Sequence, residues 1–254
     1  MVPFRRPDDG AALSYALVAI WCFVVAVAGG GVGLVLGNIR LPVLLLAASS
    51  PASGAGANIG ISGVAAATAG VIHVRGGRVD WRLVALLTPP SVVGAVVGGY
   101  VSGVLPKRVL LGVIGVVLLG MAIDLLRPHG KATGRRLGPK EAVALGGAIG
   151  FLGGVVGLIL GSLRLPALLR LGEPVARAVG SNLVVGFFVG WAGVVGHSTG
   201  GVDWTLLAVG AAASIPGAIL GARLTGRMPE SQLRRAIAAV LVVAGVAAIL
   251  EAFL

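Results

Sequence analysis

Ten apolar runs, separated by short gaps that hold most of the charge, take up almost the whole chain. They are Ala11–Ala28, Val32–Ala48, Ala55–Ile72, Leu83–Leu105 and Val109–Leu126, then Ala142–Leu152, Val155–Leu171, Val175–Gly196, Leu206–Leu220 and Ala236–Leu254. A helix needs about 20 apolar residues to cross a bilayer, so 254 residues supply about ten crossings and no sizeable extramembrane domain. Charged residues make up 11% of the chain, against about 25% in a soluble domain, too few to coat a globule. The net charge of +11 does not indicate a nucleic-acid binder. Lys and Arg sit between apolar runs, where they meet anionic headgroups, rather than in an aromatic-interleaved patch on a soluble fold. The reading is an all-α, multi-pass integral protein of the cell membrane whose partners are the lipid bilayer and a small solute, with no nucleic acid and no cofactor.

Arg5 and Arg6 precede the first run, which ends in Ala-Val-Ala, so the N-terminus has the look of a cleavable signal peptide. An equivalent segment in the second half, Ala142–Leu152, argues that the first run is kept. Cys22 is the single cysteine, lies in an apolar run and reads as a packed thiol.

An internal duplication organises the chain. At an offset of 124, Gly33, Leu36, Gly37, Arg40, Leu41, Pro42, Leu44 and Leu45 recur as Gly157, Leu160, Gly161, Arg164, Leu165, Pro166, Leu168 and Leu169. Gly56 and Asn58 recur as Gly180 and Asn182, and His73 as His197. After a slip of one residue, Asp80-Trp81 becomes Asp203-Trp204. Of 45 positions from Gly33 to Gly77, 16 are identical, and the polar matches exclude a chance likeness between two apolar runs. The chain divides into a first repeat over 11–126, a basic linker over 127–141 and a second repeat over 142–254.

The opening pair of runs in each repeat is interrupted by Gly29-Gly30-Gly31 or Gly153-Gly154, and again by Gly-x-x-Arg-Leu-Pro. Such density of glycine and proline predicts an unwound helix, tolerated in a bilayer only where protein or a water-filled cavity satisfies the backbone. Each pair therefore reads as a broken or re-entrant hairpin followed by three spans. If the hairpin returns to its starting side, each repeat has odd parity and the second is inverted. With the N-terminus outside, 14 Lys and Arg are then cytoplasmic and only Arg5, Arg6, Lys107 and Arg108 outside. Parallel repeats give ten inside and eight outside. The positive-inside rule prefers inverted repeats.

Twice over, the chain shows a glycine-rich hairpin with a proline, a Gly-x-Asn element, a helix ending in His, and Gly-Gly shortly before Asp-Trp. This pattern resembles the TauE/SafE family of sulfite and organosulfonate exporters, from about Gly29 to Leu254. Its most specific parts are Asn58/Asn182, His73/His197 and Asp80-Trp81/Asp203-Trp204. Where the family usually has Gly-Thr-Asn or Gly-Thr-Ser, this chain has Gly56-Ala57-Asn58 and Gly180-Ser181-Asn182. Where the family commonly has three glycines before the proline, it has Gly37-Asn38-Ile39-Arg40 and Gly161-Ser162-Leu163-Arg164. The departure puts a guanidinium in each copy where the family has bare backbone. The resemblance implies a secondary transporter of small anions.

Arg40 and Arg164 are the leading candidates for substrate contact, because a guanidinium offers forked donors suited to sulfonate, sulfite or carboxylate. Two other readings stand beside it: pairing within the hairpin, and snorkelling to the interface. Asn58 and Asn182 serve either the anion or the helix packing. Asn38 and Ser162 are further substrate candidates, with Ser53 and Ser181 weaker. His73 and His197 end helices and read as caps or as gating and proton-coupling groups. No metal-ligand spacing surrounds them. All nine acids lie at or near the ends of apolar runs, which favours an anionic over a cationic substrate. The chain carries no His-Glu-x-x-His and no repeated Cys pair, so no catalytic residue is assigned and the chain reads as no enzyme. An anion channel, a non-transporting membrane scaffold and a homodimer stay open.

Overall fold

The computed structural model describes residues 9–100, 107–126, 138–156, 158–170, 172–197 and 201–253. Among them are ten helices and no strand. The helices are α1 (Asp9–Val32), α2 (Gly37–Ala47), α3 (Pro51–Arg75), α4 (Trp81–Tyr100) and α5 (Lys107–Leu126), then α6 (Pro139–Val156), α7 (Gly161–Arg170), α8 (Val175–His197), α9 (Trp204–Thr225) and α10 (Glu230–Phe253). Six of the described segments are long and apolar enough to cross a membrane: Ser14–Val32, Gly56–Arg75, Trp81–Gly98, Val175–Val195, Trp204–Thr225 and Glu230–Leu250. Leu17, Ile20, Val93, Val116, Val195 and Leu250 point outward from the bundle, as side chains bathed in hydrocarbon do. Of the linker, 127–137 lies outside the described residues, and α6 begins at Pro139, before the expected end of that linker.

The break in each hairpin falls elsewhere than glycine and proline density predicts. Gly29-Gly30-Gly31 and Gly153-Gly154 are helical, inside α1 and α6. Their low helix propensity is offset by close packing: a Cβ on Gly30 would fall 2.8 Å from the Ala218 carbonyl oxygen of α9. The chain turns at Gly33, whose φ of +74° suits glycine, and the Leu34 N–H donates to the Gly29 carbonyl at 2.9 Å. Leu158 N–H donates to Gly153 in the same way, also at 2.9 Å. Both Gly-x-x-Arg-Leu-Pro segments, expected to be unwound, are instead the short helices α2 and α7, with Pro42 and Pro166 inside. In each, proline is the sixth residue of the helix, beyond the first turn, and it forfeits the one bond its N–H would have donated to the carbonyl four residues back.

At 11 residues α2 is about 16 Å long, half of a hydrocarbon core and too short to cross one alone. Gly37 lies beside Asn58 and Ser62, whereas Gly54 lies beside Leu44, Leu45 and Ala48. This register makes α2 antiparallel to α3. The loop 48–50 ends in a capping box, Ser50 and Ser53 exchanging side-chain and backbone hydrogen bonds, with Pro51 opening α3.

Glycine sets how the long helices meet. Along α1, Gly30 meets Ala218 and Gly31 meets Gly221, while Thr225 Oγ1 donates to the Gly31 carbonyl at 2.6 Å, so α1 and α9 run parallel. The equivalent pair behaves alike: Gly94 meets Gly147 and Gly98 meets Phe151 and Val155, so α4 and α6 are parallel. The first helix of each repeat thus packs on the fourth of the other. Gly60 beside Leu207 and Ile61 beside Gly210 make α3 parallel to α9 as well, so α1 and α3 run in the same direction. By contrast, the equivalent helices α3 and α8 are antiparallel. Ile59 meets Gly193, Gly63 meets Gly190 and Gly70 meets Val184. The equivalent α5 and α10 are antiparallel too, with Gly112 beside Ala252 and Leu119 beside Gly245.

The Asp-Trp turns cap α4 and α9. Asp80 Oδ1 accepts from Leu83 N at 3.1 Å and Asp203 Oδ1 from Leu206 N at 3.0 Å. Trp81 and Trp204 stay 58% and 67% exposed, as interfacial indoles do. Each turn docks on the other repeat: Asp80 N donates to Ser181 Oγ at 2.8 Å and Asp203 N to the Ser53 carbonyl at 3.1 Å. Arg78 Nη2 reaches the Ala222 carbonyl at 3.5 Å, which gathers Arg75, Arg78, Arg82, Arg223 and Arg227 at one end of the bundle.

These contacts fix which glycines tolerate a methyl. A Cβ on Gly98 collides with the Phe151 carbonyl and one on Gly221 falls 2.6 Å from Gly31 N, whereas Gly120 has nothing within 4 Å. Gly98→Ala and Gly221→Ala are each expected to destabilise by about 1–3 kcal/mol through overpacking. Gly120→Ala is expected to be neutral or slightly stabilising. Thermal unfolding of the three variants in one detergent checks the ranking.

Candidate functional site

The two guanidiniums are the largest fully buried side chains among the described residues, with Arg40 1% and Arg164 0% exposed. This burial removes the snorkelling alternative: neither reaches a headgroup. Each turns onto the long helix that comes after its own short one, α3 or α8. Arg40 Nε donates to Asn58 Oδ1 at 3.0 Å, and its Nη2 donates to the Asn58 carbonyl at 3.1 Å and to Ser62 Oγ. Arg164 Nη1 donates to Asn182 Oδ1 at 3.1 Å. No described contact joins Arg40 to Arg164, and among the described residues neither forms a salt bridge.

The asparagines each do two jobs at once. Asn58 accepts from Arg40 and donates through Nδ2 to the Gly37 carbonyl at 3.1 Å, satisfying backbone at the start of α2. Asn182 does the same for Arg164 and the Gly161 carbonyl, at 3.1 Å each. It also donates to the Gly33 carbonyl at 2.7 Å, and so closes the break of the first hairpin from the second repeat. A carbonyl freed inside a bilayer costs several kcal/mol if left bare, which is why a carboxamide with both donor and acceptor stands at this level.

Asn38 and Ser162, equivalent residues of the two hairpins, line one small pocket between the repeats. Ile114 and Leu118 of α5, Ala248 of α10 and Leu158, Ile159 and Leu160 complete its wall. Asn38 is held by a bond from its Nδ2 to the Ala244 carbonyl at 3.1 Å. Trp21 Nε1 steadies the same hairpin by donating to the Ile39 carbonyl at 3.2 Å. The pocket therefore offers an amide oxygen and a hydroxyl from opposite halves within an apolar wall.

The other sequence candidates lie away from it. His73 is buried in the last turn of α3, its Cβ against the position of Gly180, not at an exposed helix end. The helix α8 ends at His197, whose side chain lies outside the described residues. Ser53 belongs to the α3 cap and Ser181 receives the Asp80 N–H. Cys22 is buried between α1 and α9, where Ser214 Oγ donates to its carbonyl at 3.5 Å. Sequence reasoning missed Ser62. The available signal was a hydroxyl four residues after Asn58, on the same helix face.

The arginine clamps yield a stability ordering. Asn58→Ala strips Arg40 of a charge-assisted bond and exposes the Gly37 carbonyl, an expected loss of about 2–4 kcal/mol, while Ser62→Ala costs about 1–2. Denaturation of purified protein in detergent reads both. A pH effect arises at Glu173, in the turn after α7. Burial, and then the nearby Asp80 carboxylate, push its carboxyl above the ordinary value, with Arg177 opposing. The folded state thus favours the protonated form, so this group's stabilisation is present below the ordinary carboxyl range and is lost as pH rises through the elevated value. Glu173→Gln is expected to raise the melting temperature at neutral pH and to flatten its pH dependence; equal melting curves at pH 7 count against it.

The family model described as "Sulfite exporter TauE/SafE" matches residues 17–248. The "Probable inner membrane transporter protein TsaS" of Comamonas testosteroni is 29% identical over 209 residues, covering 79% of this chain and 84% of that protein. The "Probable membrane transporter protein MamO" of Magnetospirillum gryphiswaldense is 27% identical over 64% of this chain but only 33% of its own length. No solved structure matches. With the match spanning nearly all ten helices of a multi-pass bundle, the chain belongs to the TauE/SafE family of membrane transporters.

Proposed function

We propose that this protein is a secondary transporter that carries small oxyanions out of the cell, with sulfite, organosulfonates and related organic acids as the substrate class. It works by alternating access between two inverted repeats, 11–126 and 142–254, joined by the linker 127–141 on the cytoplasmic side. The observation that carries the reading is that equivalent tip residues, Asn38 and Ser162, come from two separate hairpins to line one pocket. Two supports stand beside it. The equivalent helices α3 and α8 pack antiparallel, as a two-fold axis in the membrane plane requires. The matched family is described by sulfite export, and both relatives are named transporters.

In this mechanism the pocket is the point about which one repeat rocks against the other. Asn38 and Ser162 orient the solute, and the buried guanidiniums of Arg40 and Arg164, with Asn58 and Asn182, supply the positive potential that an anion needs in hydrocarbon. The lack of carboxylates deep in the apolar runs favours an anion over a cation. A channel places the same residues along a continuous pore, and conductance distinguishes the two.

Proteoliposome flux is the direct test. Saturable exchange of sulfite, sulfoacetate or sulfolactate, without single-channel currents, is the expected result. A folded protein that moves none of these and no carboxylate analogue refutes the proposal. Asn38→Ala together with Ser162→Ala is expected to raise the KM about fivefold, the worth of roughly one hydrogen bond of about 1 kcal/mol.

A further inference from the structure

The two arginine clamps are equivalent in sequence but not in their hydrogen bonding. On Arg40, Nε and Nη2 are both engaged, the latter by Ser62 Oγ and the Asn58 carbonyl. On Arg164, only Nη1 has a partner, Asn182 Oδ1, and the buried Nε and Nη2 have none. One substitution between the repeats accounts for part of the difference. At the offset of 124, Ser62 corresponds to Gly186, so the hydroxyl that accepts from Arg40 has no counterpart beside Arg164.

A side chain at position 186 would meet no collision. A Cβ on Gly186 would make only ordinary contacts, 3.5 Å to Val35, 3.8 Å to Ile159 and 3.9 Å to Ala66. Ile159 also forms part of the pocket wall that Asn38 and Ser162 share, so Gly186 and the pocket have one neighbour in common. A guanidinium is always charged, and here it is wholly buried, unpaired with any described carboxylate, and has two donors open. Donors left bare in a dry interior are costly, and folds retain them where a ligand completes them.

We infer that Arg164, and not Arg40, is the guanidinium that holds the transported oxyanion, through Nε and Nη2, and that Gly186 in place of a serine leaves these donors open to it. This rests on the transport reading above and refines it. Adjacent Nε–H and Nη2–H donors form one side of the guanidinium fork and match two oxygens of a carboxylate, sulfite or sulfonate. Arg40, completed by Ser62, is a positioning residue that fixes α2 to α3. One anion binds per chain, in the second repeat.

Sulfite binding to the purified full chain in detergent, by titration calorimetry, tests this. Gly186→Ser supplies the acceptor that Ser62 supplies in the first repeat, and is expected to weaken binding at least tenfold while raising the melting temperature in the absence of sulfite. Ser62→Gly is expected to keep the wild-type affinity within threefold while lowering the melting temperature. Wild-type affinity in Gly186→Ser, or an equal loss in Ser62→Gly, overturns the assignment. Should Gly186→Ser not fold, Arg164→Lys keeps the charge and removes the fork; undiminished affinity there overturns it equally. Wild-type protein that exchanges sulfite in liposomes while Gly186→Ser exchanges it equally well sinks this assignment alone. Wild-type protein that neither binds nor moves any of the probe anions sinks the transport reading as well.

Discussion

The rest of the structure depends on backbone meeting backbone between α1 and α9 and between α4 and α6. Apolar side chains gain little by leaving lipid for protein, so helices in a bilayer are held by close van der Waals contact and by polar bonds. Gly30, Gly31 and Gly221 on one seam, and Gly94, Gly98, Gly147 and Gly150 on the other, remove the side chains that would keep the axes apart. Each seam joins a helix of one repeat to a helix of the other. The two halves are therefore joined along two close seams, and the hairpins hang between them.

Within that frame, polar chemistry is confined to a few levels. Helices α3 and α8 carry little that is polar in their middle stretches besides Asn58, Ser62 and Asn182, and these three serve the guanidiniums and the carbonyls of the hairpin breaks. Placing the cations on short helices backed by carboxamides spares the bundle a carboxylate counter-ion. Full ion pairing would have cancelled the positive potential of the two guanidiniums.

Much of this was legible in the sequence. The low charge, the ten apolar runs and the offset of 124 led to an all-helical membrane bundle with a duplicated plan, and the recurring Arg, Asn and Asp-Trp pairs marked residues that proved to be buried or capping. Propensity misplaced the hairpin break. Gly29-Gly30-Gly31 reads as a helix breaker in isolation, yet Gly30 and Gly31 face α9 and the run stays helical, because its partner lies nearly 200 residues away, where no local rule looks. The grip of Ser62 on Arg40 was missed for a related reason. The spacing of four between Asn58 and Ser62 puts both on one helix face, but what that face meets shows only when α2 is packed against α3.

The bond from Asn182 to the Gly33 carbonyl has a consequence for biosynthesis. When the first repeat leaves the translocon, its hairpin carries a carbonyl whose partner has not been translated, and α1 faces lipid where α9 will later dock. The first half cannot mature as a unit in its own right. Its packing is complete only when α8 and α9 are in place, so the finished contacts of the first repeat depend on helices from the end of the chain.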